Sequence, residues 1–201
     1  MTQRTRIALI IGVAVVLLGF VAVLARISPP VVALKDGAYT VAAAPGTKLS
    51  LDVNSGAVEV VAGDKPELRI DYLGDPDMAP EIRMRATEST ITVGVHGLKQ
   101  RSKVIITVPK NTNLNASLGA GQLIIKDVVG DKDLTVYAGQ IIVSGDVKQY
   151  GWADAKVLAG RFSAAPMNID KSGVFRWGTW SGPGKSSLSM TLLSGEAVVR
   201  D

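Results

Sequence analysis

From Val31 onward the chain alternates apolar and polar residues over short runs, and Gly, Asn, Asp, Pro and Ser separate the runs. A period of two predicts half-buried β-strands, and no stretch here carries the 3.6-residue period of an amphipathic helix. The runs also repeat. Gly121, Gly139, Gly160, Gly178 and Gly195 follow one another at gaps of 18, 21, 18 and 17 residues, with Gly56 as an earlier member. At offsets −5, −3, +2 and +4 from these six glycines, 22 of 24 residues are apolar, as in Leu134, Val136, Ile141 and Val143 around Gly139. The overall hydrophobic fraction would give about 11. Offsets −4 and +3 are mostly polar, as at Asp52, Ser117, Thr135, Ser163 and Ser181.

This pattern describes a strand, a sharp corner at the glycine, and a second strand, with both strands turning apolar residues to the same inside. Glycine suits the corner because it accepts positive φ and close backbone approach. One coil cannot bury its own apolar edge, but stacked coils bury a continuous column. The expected fold is therefore all-β, a single-stranded right-handed β-helix or solenoid, with Gly56, Gly121, Gly139, Gly160, Gly178 and Gly195 as its structural glycines. Between Gly63 and Lys110 the repeat lapses. Leu68–Tyr72, Ile82–Met84, Thr90–Val93 and Val104–Val108 read as ordinary strands, punctuated at 74–77 and 97–102. They are expected to form a sheet that caps the N-terminal end of the stack.

Ile7–Ala25 is 19 residues without a charge or strongly polar group. As a helix it would reach about 28 Å, close to the thickness of a bilayer's hydrocarbon core. Arg4 and Arg6 precede it and Arg26 follows, so the positive-inside rule leaves the N-terminus in the cytoplasm and exports the rest. The expected organisation is a stub and membrane anchor over 1–26, a linker over 27–44 stiffened by Pro29 and Pro30, and an exported β-domain over 45–201. The competing reading is a cleaved signal peptide, with Val23 and Ala25 at the small-residue positions. Both readings put the domain outside the cytoplasm. The expected location is the cytoplasmic (inner) membrane, as a single-pass protein whose membrane contact is residues 7–25.

Charge changes the picture little. The chain carries 22 Lys and Arg against 18 Asp and Glu, but without the three N-terminal arginines the balance is 19 to 18. A near-neutral body does not fit a nucleic-acid surface. The absence of Cys removes disulfides, thiolate metal sites and cysteine nucleophiles, and a lone His96 weakens any Ser-His-Asp arrangement.

Two runs carry a family resemblance. Val104-Ile105-Ile106-Thr107-Val108-Pro109-Lys110-Asn111 leads into Leu114-Asn115-Ala116-Ser117-Leu118-Gly119-Ala120-Gly121, and copies follow at Tyr137–Val143 and Leu193–Val199. This resembles the bacterial "putative adhesin" family over residues 45–201. Gln140 and Arg161 stand where that family often has Asp, and the coil around Gly178 is degenerate. The resemblance implies an envelope-associated β-helix, linked in some members to surface attachment or envelope-stress signalling. It implies no catalytic residues.

Candidate chemistry is sparse. Gly184-Lys185-Ser186 matches the end of a phosphate-binding loop, but Thr179 replaces the required glycine and Ser187–Leu192 alternates like a strand. Neither Asp75, Asp77 and Glu81 nor Asp127, Asp131 and Asp133 has the spacing of a calcium loop. No enzyme, metal or cofactor is expected. All three Trp lie between 152 and 180. Phe162, Phe175 and Trp180 occupy inward slots, whereas Tyr150, Trp152 and Trp177 fall outside them and are candidates for stacking on sugars or anchoring a partner. Ile124 and Ile142 occupy outward slots on adjacent coils, with Val198 as an extension. The function expected is a non-catalytic, membrane-anchored binding module for an envelope glycan or envelope protein. Two alternatives stand beside it. One is a self-assembling scaffold resembling bactofilins, since open strand edges permit homo-oligomers; the other is a membrane-tethered lipid bridge.

Overall fold

In a computed structural model of the chain, residues 30–32 and 37–201 are described. The expected membrane segment at 7–25 lies outside them. Among the described residues no helix is long and apolar enough to cross a membrane. The described residues of the unit Val31–Asp201 are all-β and form twelve strands. They are β1 (Val31–Val32), β2 (Ala38–Ala42), β3 (Lys48–Gly63), β4 (Glu67–Leu73), β5 (Glu81–Ala86) and β6 (Thr90–His96). Then come β7 (Lys103–Pro109), β8 (Asn113–Lys126), β9 (Lys132–Ser144), β10 (Tyr150–Ala164), β11 (Ile169–Ser181) and β12 (Ser186–Arg200).

The long strands β3, β8, β9, β12, β10 and β11 lie side by side in that order. The first five are parallel, and their corner glycines form one ladder: Gly56, Gly121, Gly139, Gly195, Gly160. All five have positive φ, from 118° to 139°. A Cβ on Gly121, Gly139, Gly195 or Gly160 would collide with the carbonyl oxygen of the neighbouring glycine in the ladder. The corner thus demands glycine twice, for φ and for space. Crossing it shifts the side-chain alternation by one residue. Residues at −5, −3, +2 and +4 are therefore all buried on these five strands, from Leu51, Val53, Val58 and Val60 to Met190, Leu192, Ala197 and Val199. The interior is a filled apolar column, with Phe162 2% exposed.

Three expectations are corrected. The long strands follow chain order only through β9, because β12 inserts between β9 and β10. The last strand of the stack, β11, runs antiparallel to β10 and places Gly173, not Gly178, opposite Gly160. Gly173 has φ 117°, whereas Gly178 pairs with Ala155 and is buried beneath Phe162. This reversal turns Phe175 outward to 67% exposure and leaves Trp180 only partly buried against the core. Finally, residues 38–42 fall in the segment expected as linker, yet they form β2 and pair with β4.

The four strands expected between Gly63 and Lys110 are present as β4 to β7, and two of them pair with β3, the first of the long strands. The first half of β3 pairs with β6, which continues to β5 and β1. Its second half pairs with β7, which continues to β4 and β2. These strands therefore form two wings, one on each side of the Gly56 corner. Glu59, though in an outward slot, is buried where the second wing joins the stack, with Lys103 at 2.9 Å and Lys126 at 2.5 Å. Burial alone would raise its pKa, but hydrogen bonds and charge from Lys126 and Lys103 outweigh that and hold it below the ordinary carboxylate value.

Candidate functional site

The stack presents two outer faces, one built by the strand halves before the glycine corner and one by the halves after it. On the first face the rungs align polar residues in rows. One row is Ser50, Asn115, Asp133, Ser189 and Asp154; the next is Asp52, Ser117, Thr135, Thr191 and Lys156. A groove crosses this face between Lys48, Asn113, Asp131 and Ser187. Local hydrogen bonds set its shape: the Asp131 N–H donates to Asn113 Oδ1, and Ser187 donates to Asp131 Oδ1 from both its N–H and its hydroxyl. Trp152 lies beside Ser187 and is 47% exposed, so an aromatic plane bounds a surface of hydroxyls, amides and carboxylates.

Under this face Lys132 occupies an inward position between Leu114 and Leu188 and is 2% exposed. Its Nζ donates to the Gly130 carbonyl at 2.9 Å and lies over the Tyr150 ring. Burial lowers its pKa to about 8, against a smaller opposing pull from Asp131. Tyr150 itself is 1% exposed, which removes it from the surface candidates. The reason is a register shift between Tyr150 and Trp152, which turns Tyr150 inward while Trp152 points out. Burial pushes the phenol pKa up, and the Tyr150 Oη has no protein hydrogen-bond partner.

The second face carries Ile124 and Ile142 side by side and half-buried, with Val198 next to Ile142. The stripe expected there is thus contiguous. A polar ladder runs alongside it: Gln122 Nε2 donates to Gln140 Oε1 at 2.6 Å, and Gln140 Nε2 to Glu196 Oε2 at 2.9 Å. At the end of the stack, Trp177 pairs with Lys156 and is 67% exposed. The structure therefore brings Trp152 and Trp177 to one end of the first face and sets Ile124 and Ile142 on the other face.

One feature escaped the sequence reading. Offset −2 places Tyr137, Leu193 and Leu158 in a row along the corner, the antiparallel β11 adds Phe175 from two residues after Gly173, and all but Leu193 are exposed. Leu158, Leu193, Phe175 and Trp177 line an apolar cleft there. That offset carried only a partial signal, because Asn54, Gly119 and Arg176 occupy it in the other three repeats. Of the acidic clusters, Asp75 caps the short turn Pro76–Met78 by accepting from the Asp77 N–H, and Asp131 shapes the groove.

With this geometry in place, the molecule can be compared with solved structures. A "putative cell adhesion protein" of Clostridium sporogenes superimposes with a TM-score of 0.50 at 12% identity, covering 82% of this chain and 99% of that one. The chain has the fold of a bacterial putative adhesin. A "putative adhesin" of Parabacteroides distasonis (TM-score 0.26, 14% identity, 80% and 66% covered) and one of Bacteroides fragilis (0.25, 10%, 82% and 96%) match more weakly. No family model and no curated protein matches the sequence. The Val-Pro-Lys-Asn run joins two strands, since Pro109 ends β7 and the chain passes through Asn111 into β8.

Proposed function

We propose that the protein is a non-catalytic adhesin-like module, anchored through residues 7–25 and working outside the cytoplasmic membrane, with a glycan of the envelope as its target. The observation that carries this reading is the first outer face. Its rows of Asn, Asp, Ser and Thr offer donors and acceptors matched to sugar hydroxyls, and Trp152 offers a plane on which a ring can stack. The parallel rungs repeat at roughly 4.8 Å, a spacing that suits an extended polymer with many weak contacts. The stack is solenoid-like in this reading, a rigid platform whose C-terminal rungs are reordered. A self-assembling scaffold has less support, because the free edge at β11 is blunted, as argued below. A lipid bridge needs an open interior, and the column is filled.

The test is co-sedimentation of residues 30–201, which hold the whole described core, with isolated envelopes before and after protease treatment. Binding to both, weakened by Trp152→Ala, is the expected result. Binding only to untreated envelopes would mean a protein target and would overturn the glycan reading.

A further inference from the structure

The terminal strand β11 is unlike the others. Its residues from Asp170 to Trp177 are all exposed, and Val174, Phe175 and Trp177 present large apolar side chains at 60–67% exposure. Charge is gathered there too. Between Tyr150 and Ser186 five basic residues (Lys156, Arg161, Lys171, Arg176, Lys185) stand against two aspartates, while the other residues from 30 onward carry 14 basic against 16 acidic. A cleft lined by Asp170, Lys171, Ser172, Phe175, Arg176 and Trp177 opens at this end, with the Asp170 carboxylate paired to Arg161, so that Lys171 and Arg176 carry its net charge. Exposed aromatics ringed by cations in an otherwise slightly acidic domain fit a surface that is apolar beneath and negative on top.

An open edge strand is also a template for a second copy, and the geometry argues against that occupant. Lys171 Nζ donates to the Trp177 carbonyl at 2.8 Å, and Arg176 Nε donates to the Ser172 carbonyl at 2.7 Å. These side chains use carbonyls that a docking strand would need. Positive φ at Gly173 (117°) and Phe175 (53°) bends the strand away from a regular ladder. Satisfied carbonyls suit a lipid interface, where unpaired backbone groups are costly.

We infer that β11 and its flanking cations dock on an anionic lipid bilayer, with Phe175 and Trp177 entering the headgroup layer and Lys171, Arg176 and Lys156 facing the lipid charges. This goes beyond the glycan reading and uses the end of the stack, not the groove beside Asn113 and Asp131.

Because all three tryptophans lie between 152 and 180, tryptophan emission of the full chain reports on β10 and β11, and Trp177 is the one on the proposed docking surface. The full chain is reconstituted with phosphatidylcholine vesicles and with vesicles that also contain phosphatidylglycerol, both doped with bromine-labelled acyl chains. Expected are a blue shift and bromine quenching that are larger in the anionic vesicles, fall at high salt, and disappear in Lys171→Glu/Arg176→Glu. Trp177→Phe should remove most of the quenching, and a far-ultraviolet circular dichroism spectrum like that of the wild type shows that the variant is folded. Equal emission in both vesicle types overturns the inference. So does emission that depends on protein concentration and not on lipid charge, which would assign β11 to a second copy.

Discussion

The ammonium of Lys132 lies 4.8 Å from the centre of the Tyr150 ring, in a row of the core otherwise made by Leu49, Leu114, Leu188 and Ala153. A cation in that position is held by one carbonyl and one ring face, which offset only part of its desolvation.

Lys132→Met should therefore stabilise the domain. A native pKa near 8 against an ordinary value of 10.5 means that folding disfavours the charged form. That cost is fully present below pH 8, shrinks as pH rises toward 10.5, and is gone above it. The gain at pH 7 should be about 1–3 kcal/mol. Denaturant midpoints at pH 7 and at successively higher pH check this: the difference between variant and wild type should narrow as pH rises.

Glu59 carries the opposite sign. Its native pKa is lowered, so its contribution is present above the unfolded-state value and is lost as pH falls through the native one. Glu59→Gln should cost roughly 1–2 kcal/mol at pH 7, because Lys103 and Lys126 lose a shared buried carboxylate. In acid the variant and wild type should converge. Thermal unfolding at neutral and acidic pH would show whether they do.

The corner ladder ranks the glycines. Gly139→Ala meets both positive φ and the Gly121 carbonyl, and should cost more than about 3 kcal/mol or abolish folding. Gly173→Ala has the φ penalty, but its nearest neighbour is the flexible Arg176 guanidinium, so roughly 1 kcal/mol is expected. Unfolding midpoints of the two variants, compared side by side, test the register of β11 as well as the role of the corner.

The five parallel rungs were legible because their inward slots repeat around glycines whose close approach tolerates no substitute. The reversal of β11 was not. Alternation of period two reads the same in either direction along a strand, so Val174–Trp180 gave no sign of running antiparallel, and Gly178 fell at the expected spacing while Gly173 held the corner. Tyr150 was misplaced for a related reason: the register shift at Gly151 changes which side a residue faces without changing the pattern. Trp152, Trp177, Ile124 and Ile142 all reach the surface, but only the registers show that they belong to different faces. Lys132 lay one step outside the offsets that define the repeat, which hid a charge in the core.

The most direct test of the account is to separate the two faces in one binding assay. Asn115→Arg/Ser189→Arg crowds the first face, and Ile142→Arg alters the second; both leave every inward slot untouched. With protease-treated envelopes, the first variant should lose co-sedimentation and the second should bind like wild type. Undiminished binding by Asn115→Arg/Ser189→Arg, with loss in Ile142→Arg, would contradict the claim that the polar face holds the glycan.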